Sequence, residues 1–485
     1  MRLLSQNVVF GIAAFVSASL ITFFFWLDQP ILSFFPIGMM LIYFAIYQTE
    51  KLFLAISFFT PLSINIEEFS QSFGLFLPTE PLLFGLMLLL SAIQIRKPFL
   101  DQRIWKHPII ITVLLFICWI FISSITSSHV LVSFKFLMAR MWFFIPVLLF
   151  GTYFFRKESN RISFFWLFVI GSCITIVYTL FHHAQYNFGE KEGHWVMNPF
   201  FKDHTIYGAI VALILPISIS LFWYKKHSIL IQVVLIFLIT LILVGLYFSY
   251  TRAAWLSIII AFLVGLIVHY RVNFKFLMGI GLIGLFIVFL KWDSIEMELA
   301  RNKNEHTTES FNERFQSAAN VSTDASNLER INRWSCDISM FKERPIFGYG
   351  PGTYAFEYAP FQEPENLTII STNFGDLGNA HSEYLGSLSE MGIFGLLTFL
   401  AVVIAIFYSA VTLYNKYPNS DRKNRTIVMG IILALTTYFS HAFLNNFLDT
   451  DKAAVPIWGM CAMLIVMGLE VKKVTFNSKK RLIRF

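Results

Sequence analysis

The run VVFGIAAFVSASLITFFFWL at residues 8–27 carries no charge, and as a helix it is long enough to cross about 30 Å of hydrocarbon. No small-x-small cleavage pattern follows it, so it reads as a retained span and not a signal peptide. The rest of the chain has the same character. Of 485 residues, 56% are hydrophobic, 17% aromatic and only 14% charged, with a mean hydropathy of +0.65. A soluble domain carries about a quarter charged residues. The expected class is therefore an all-α, polytopic membrane protein, with the 55 Phe and 11 Trp supplying lipid contacts and interfacial belts. The net charge of +7 lies in short loops between apolar runs, so it does not point to nucleic acid. The four cysteines, Cys118, Cys173, Cys336 and Cys461, have neither a disulfide nor a metal-site spacing.

Working outward, about 12–14 spans are expected, near 31–47, 51–65, 81–95, 108–126, 136–155, 162–181, 205–224, 229–249, 253–270, 276–291, 386–413, 427–446 and 454–471 besides the first. With the N-terminus in the cytoplasm, the basic segments RKPFLDQRIWKH, RKESNR, KKH, NKYPNSDRKNR and the tail all fall inside, as the positive-inside rule requires. The chain then divides into N-terminal spans 1–200, central spans 201–291 carrying Arg252, a large loop 292–385, C-terminal spans 386–471 and a basic cytoplasmic tail 472–485. Loops as long as 292–385 are functional or disordered. Its second half, SNLERINRWSCDISMFKERP, reads as a helix with Ser326 and Glu329 as a capping box and Pro345 as its stop. Leu328, Ile331, Trp334, Ile338 and Phe341 form its apolar stripe, which leaves Arg330 and Arg333 facing outward, with Arg333 and Asp337 spaced to pair. GYGPGTY at 348–354 reads as a turn. In NAHSEYLGSLSEMGIFG at 379–395, helical spacing places His381, Leu385, Leu388 and Gly392 on one face, with Gly392 and Gly395 admitting a neighbouring backbone.

These residues resemble the O-antigen ligase and lipid-linked O-antigen polymerase superfamily of bacterial envelopes. His381, Ser382, nine residues, Gly392, two residues and Gly395 match the ligase pattern H-[NSQ]-x9-G-x-x-[GTY]. ERINRWSCDISMFKERPIFGYGPGTYAF resembles the approach to that motif, with Gly348, Gly350 and Gly352 in the glycine positions. SYTRAAWLSIIIAF resembles the family's S-R-x-x-x-L entry to a span, with Thr251 where serine is more usual. FFKDHTIYGAIVALILP resembles another central span, so the likeness runs from about residue 200 to 470. It implies a glycosyltransferase of lipopolysaccharide biosynthesis, with a glycan on undecaprenyl pyrophosphate as donor and lipid A–core or another glycan as acceptor. The implied location is the bacterial inner membrane, with the site facing the periplasm.

That chemistry suits the residues. A histidine is the commonest general base, and arginine forks grip phosphate oxygens. His381 is the expected base, with Arg252, Arg330, Arg333, Arg140 and His204 as donor contacts; Arg140 is read as lying within about a turn of the periplasmic surface. Because guanidinium groups can meet the charge of the leaving pyrophosphate, no cofactor and no metal is expected. Asp449 and Asp451 match D-x-D, but Lys452 beside them competes with a cation. Each residue also has a plainer reading: an interfacial histidine for His381, a snorkelling side chain for Arg252, a helix-packing ion pair for Arg140, a helix start for Asp203–His204. A polymerase extending the lipid-linked glycan is the alternative within the superfamily. A polysaccharide flippase or transporter is the alternative outside it, disfavoured because no internal repeat is visible.

The charge asymmetry makes a direct prediction. Reporters fused near residues 100 and 420 should read cytoplasm, and those near 190 and 320 periplasm; a cytoplasmic reading at 320 removes the basis for the whole site assignment.

Overall fold

The computed structural model describes residues 6–27, 34–66, 74–272, 325–364 and 378–482. The expected span at 276–291 and the first part of the large loop lie outside these residues. The chain is an all-α polytopic membrane protein. Among the described residues nine helices are long and apolar enough to cross a membrane, beside two shorter apolar ones. Two compact units are distinguished. In the first, Met1–Ile56, α1 (Gln6–Trp26) packs on α2 (Phe34–Tyr47), and α3 (Thr49–Phe59) begins.

The second unit, Ser57–Phe485, contains a two-residue β-ladder between β1 (Ile64–Asn65) and β2 (Phe76–Leu77), followed by α4 (Thr79–Arg96) and α5 (Pro108–Ile125). Next come α6 (Val130–Phe143) and α7 (Gly151–Phe154), joined without a loop by a π-helical turn at Phe144–Leu149. Pro146 has no N–H to give, and Phe150 N reaches back to Ile145 O at 2.9 Å. The bundle continues with α8 (Glu158–Ala184), α9 (His204–Trp223), α10 (Ile229–Tyr247) and α11 (Arg252–His269). Two helices of the large loop, α12 (Ala325–Glu343) and the short α13 (Tyr354–Glu357), precede α14 (Glu383–Lys416), α15 (Arg422–His441) and α16 (Asp451–Leu482).

Hydrophobicity around the whole circumference marks a central helix. Every residue from Ile206 to Ser218 in α9 and from Asp451 to Met467 in α16 is buried, whereas most of α10 keeps its apolar side chains exposed. A lysine in the central helix α16 must be paired. Lys452 Nζ donates to Thr60 O at 2.8 Å and Ser63 O at 2.6 Å, while Asp451 accepts from Ser63 Oγ.

The motif helix differs from its expected form. His381 precedes the helix, and Ser382 is the N-cap, accepting from Leu385 N at 3.3 Å. Gly392 then breaks α14 at φ 67° and ψ −167°, a region open essentially to glycine alone. His381 and Gly392 therefore do not share a helical face. The break strands carbonyls that a continuous helix would use, and outside donors take them. Ser389 O accepts from Tyr349 N at 3.2 Å, Glu390 O from Gly350 N at 2.7 Å and Met391 O from Trp119 Nε1 at 2.9 Å. Ile393 N donates to Pro345 O at 2.9 Å. What approaches Gly392 is thus the Pro345–Ile346 backbone of the loop, not a neighbouring helix; a Cβ there would collide with Ile346 O.

The loop helix α12 also turns a different face inward. Glu329, Asn332, Arg333, Cys336, Asp337 and Met340 are buried, while Ile338 of the expected apolar stripe is 43% exposed. Polar pairing decides this. Arg333 Nε donates to Glu329 Oε1 at 2.7 Å and its guanidinium lies 3.9 Å over the Tyr358 ring. Asn332 Nδ2 donates to Gln362 at 3.1 Å, and Asp337 accepts from Ser389 Oγ. Arg333 therefore does not face outward, and its carboxylate partner is Glu329 instead of Asp337.

Gly392→Ala should lower the Tm and the folded yield in detergent, since the backbone strain alone costs about 1–3 kcal/mol before the collision with Ile346. Gly85→Ala, in α4 with nothing within 4 Å of the added carbon, is the control and should not lose stability. Equal behaviour of the two variants would refute the docked break.

Candidate active site

One end of the second unit gathers the loops that connect α5 to α6, α8 to α9, α10 to α11 and α15 to α16, together with the segment before α14. His381 is held there in the left-handed region at φ 47°. Its N–H donates to Asn379 Oδ1 at 3.0 Å, and Trp334 Nε1 donates to its carbonyl at 3.4 Å. A non-glycine residue at positive φ is sparsely populated, and such strain collects at functional sites.

The ring of His381 is half-buried, and its Nδ1 has no hydrogen-bond partner within the protein. Asn445 stands against it and also reaches His441 Nδ1 at 3.4 Å; His441 is buried, and its Nε2 is likewise open. Arg330 of α12 donates from Nε to Leu444 O at 3.3 Å, which sets its charge beside both histidines. Burial, then the Arg330 and Arg333 charges, push His381 down to a pKa of about 4, so its ring is neutral near pH 7.

Arg252 opens α11. Thr251 before it donates from Oγ1 to His204 O at 2.7 Å, and Gly208 leaves room for that contact. His204 opens α9 behind the Asp203 cap, whose Oδ1 accepts from Thr205 N at 2.8 Å and Ile206 N at 3.1 Å, and it stacks on His194 at 4.2 Å. His204 and Asp203 contribute to the field at His441, so this pair of helix starts borders the histidine group.

Arg140 does not join that group. It lies ten residues into α6, about 15 Å along the helix from its start. Its Nη1 donates to Leu448 O and its guanidinium sits 4.6 Å from the Phe136 ring centre. It lines a cavity of about 860 Å³, together with Ser382, Glu383, Glu390, Asn446 and Asp449. Glu383 Oε1 accepts from Tyr438 Oη at 2.9 Å and Leu448 N at 2.7 Å, while Glu390 accepts from Gly352 N at 2.9 Å and Tyr354 N at 3.0 Å. His381 is not among the lining residues, although Ala380 and Ser382 on either side of it are.

Three glycines of the turn, Gly348, Gly350 and Gly352, have positive φ, and the turn is wedged between α14 and the α5–α6 corner, where Ser128 N donates to Tyr349 O at 2.8 Å. Asn445 and Glu383 carry no motif, and His441 reads from its sequence as structural. The spacing of His441 and Asn445, one turn apart in SHAFLNNF, is the only sequence signal for them. Asp449 and Asp451 part company: Asp449 lines the cavity, and Asp451 is tied to Ser63.

Residues 236–400 match the family model described as O-antigen ligase, which supports the O-antigen ligase superfamily for this chain. The matched stretch includes Arg252, Arg330, Arg333, His381, Gly392 and Gly395, and leaves Arg140 and His204 outside. No curated protein matches the chain.

The neutral state of His381 has a thermodynamic signature. The unfolded chain takes up its proton near pH 6.5 and the folded protein only near pH 4. Between those values the unfolded state binds more protons, so stability falls as the pH drops through that window. The loss of Tm between pH 7.5 and 5 should therefore be smaller in His381→Gln than in the wild type. Identical losses would mean that His381 is not held neutral.

Proposed function

We propose that this protein is a membrane glycosyltransferase of the O-antigen ligase type. It moves a glycan from undecaprenyl pyrophosphate to an acceptor hydroxyl, with lipid A–core as the acceptor. On this reading it lies in the bacterial inner membrane, with both termini in the cytoplasm and the His381 end in the periplasm. The observation that carries it is the convergence, from separate segments, of a neutral histidine with an open ring nitrogen and the guanidinium of Arg330. The O-antigen ligase match over the same residues supports glycan ligation or polymerisation as the general activity.

In this mechanism Arg330 and Arg252 hold the pyrophosphate by paired hydrogen bonds from their planar forks. His381 accepts the proton of the acceptor hydroxyl as its oxygen attacks the anomeric carbon. The bond from that carbon to the phosphate oxygen breaks, and the lipid pyrophosphate leaves with the electron pair. A single displacement inverts the anomeric carbon. Burial is the larger cause of the depressed His381, and Arg330 adds to it; bound pyrophosphate neutralises Arg330, so the ring gains proton affinity once the donor is in place. Arg333, committed to Glu329 and Tyr358, serves to position α12.

General-base catalysis contributes about 10²–10⁴-fold, so His381→Ala should lower turnover by that order while donor binding persists. Arg252→Ala should remove most transfer, and Arg252→Lys should restore only part of it, because an ammonium keeps the charge and loses the fork. The assay is product analysis with purified protein, lipid-linked glycan and lipid A–core. A longer lipid-linked chain in place of glycan on lipid A–core identifies a polymerase, and near-normal turnover of His381→Ala rejects it as the base.

A further inference from the structure

The 860 Å³ cavity beside the His381 segment is chemically unlike the group around His381. Its volume falls within the range of ligand pockets, about 300–1,000 Å³. Among the described residues that line it, the cations are Arg140 and Lys135, against the carboxyl groups of Glu80, Glu383, Glu390 and Asp449. Glu383 and Glu390 each accept two hydrogen bonds from the protein, which fixes both carboxyl groups at the wall. Phosphate placed there would meet more carboxyl groups than cations.

Several polar atoms of the wall have no partner in the protein. Arg140 is 6% exposed, and its Nε is open even though Nη1 is bonded. Trp142 Nε1 and Asn446 Oδ1 are open too, and Asp449 is exposed at the cavity surface. Buried polar groups normally find partners. Unpartnered donors and acceptors among the lining residues, with aromatic rings of Trp142 and Tyr354 in the same wall, form the pattern that sugar hydroxyls and ring faces complement.

We propose that this cavity is a carbohydrate subsite for the sugar that presents the attacking hydroxyl, and that it selects an uncharged or amine-bearing sugar over a phosphorylated one. The assignment to the acceptor rests on the transferase reading above. Ser382 and Glu383 line the cavity directly after His381, so a sugar seated there lies beside the segment that carries the base. The pyrophosphate of the donor and the sugar that presents the hydroxyl are thereby drawn to different sides of residues 380–383.

The test uses full-length protein in detergent and saturation-transfer NMR with three probes: chitotetraose, its de-N-acetylated amine form, and a 6-phosphorylated chitotetraose. The amine form and chitotetraose should bind, and the phosphorylated form should bind about tenfold more weakly or worse. Asp449→Asn should weaken the amine form more than chitotetraose. Trp142→Phe, which keeps a ring and removes the N–H, should weaken all bound probes, while Arg252→Ala should leave their binding unchanged. Tightest binding by the phosphorylated form, no binding by any probe, or indifference to both Asp449→Asn and Trp142→Phe overturns the proposal. Because binding needs no donor, selective binding without transfer product defeats the transferase reading alone. Transfer without selectivity defeats the subsite alone.

Discussion

The break in α14 at Gly392 is the constraint on which the site end of the second unit depends. A helix interrupted among apolar neighbours leaves backbone groups that lipid cannot satisfy. Here they are satisfied by Tyr349 N, Gly350 N, Trp119 Nε1 and Pro345 O, so the turn after α12 is bonded to the break itself. Trp119 also stacks on Phe347 at 5.7 Å with the rings 8° apart, which closes the same junction from α5. Once the turn is locked, α12 has one way to lie, and Asp337 reaches Ser389 just before the break. Arg330 then arrives beside His381 because the helix carrying it is pinned at its far end.

Buried charge in this protein is handled by local pairing. Arg140, Lys452 and Arg333 are each almost fully buried, and each is bonded to backbone carbonyls or a carboxylate. Such groups are costly in a membrane protein unless solvated or paired. The partners divide the site end into a basic neighbourhood around His381 and an acid-rich cavity around Arg140. The two neighbourhoods adjoin at residues 380–383, which carry His381 on one side and line the cavity on the other.

Much was legible in the sequence. Lipid permits only internally hydrogen-bonded backbone, so length and apolarity of each run determined the all-α class, and the order and rough limits of the helices follow from the same constraint. The three turn glycines were also marked, because left-handed turns demand glycine, and His381 and Arg252 were marked by the motifs of the resemblance. Asp203 as the cap of α9 is a local device of the same kind. What only the tertiary structure decided involves choices between partners far apart in sequence. Period 3.6 assigned α12 an apolar inner face, yet Glu329, Arg333 and Asp337 are inside, since their hydrogen bonds to each other and to Ser389 outweigh the exposure of Ile338. Likewise, the motif spacing is compatible with an unbroken helix, and nothing local distinguishes Gly392 at positive φ from a packing glycine. The break exists because Pro345 and Tyr349, more than forty residues upstream, supply the missing hydrogen bonds. The same long-range logic places Arg140 among carboxylates from α14 and the 446–449 loop, a neighbourhood set by packing and invisible to any local pattern.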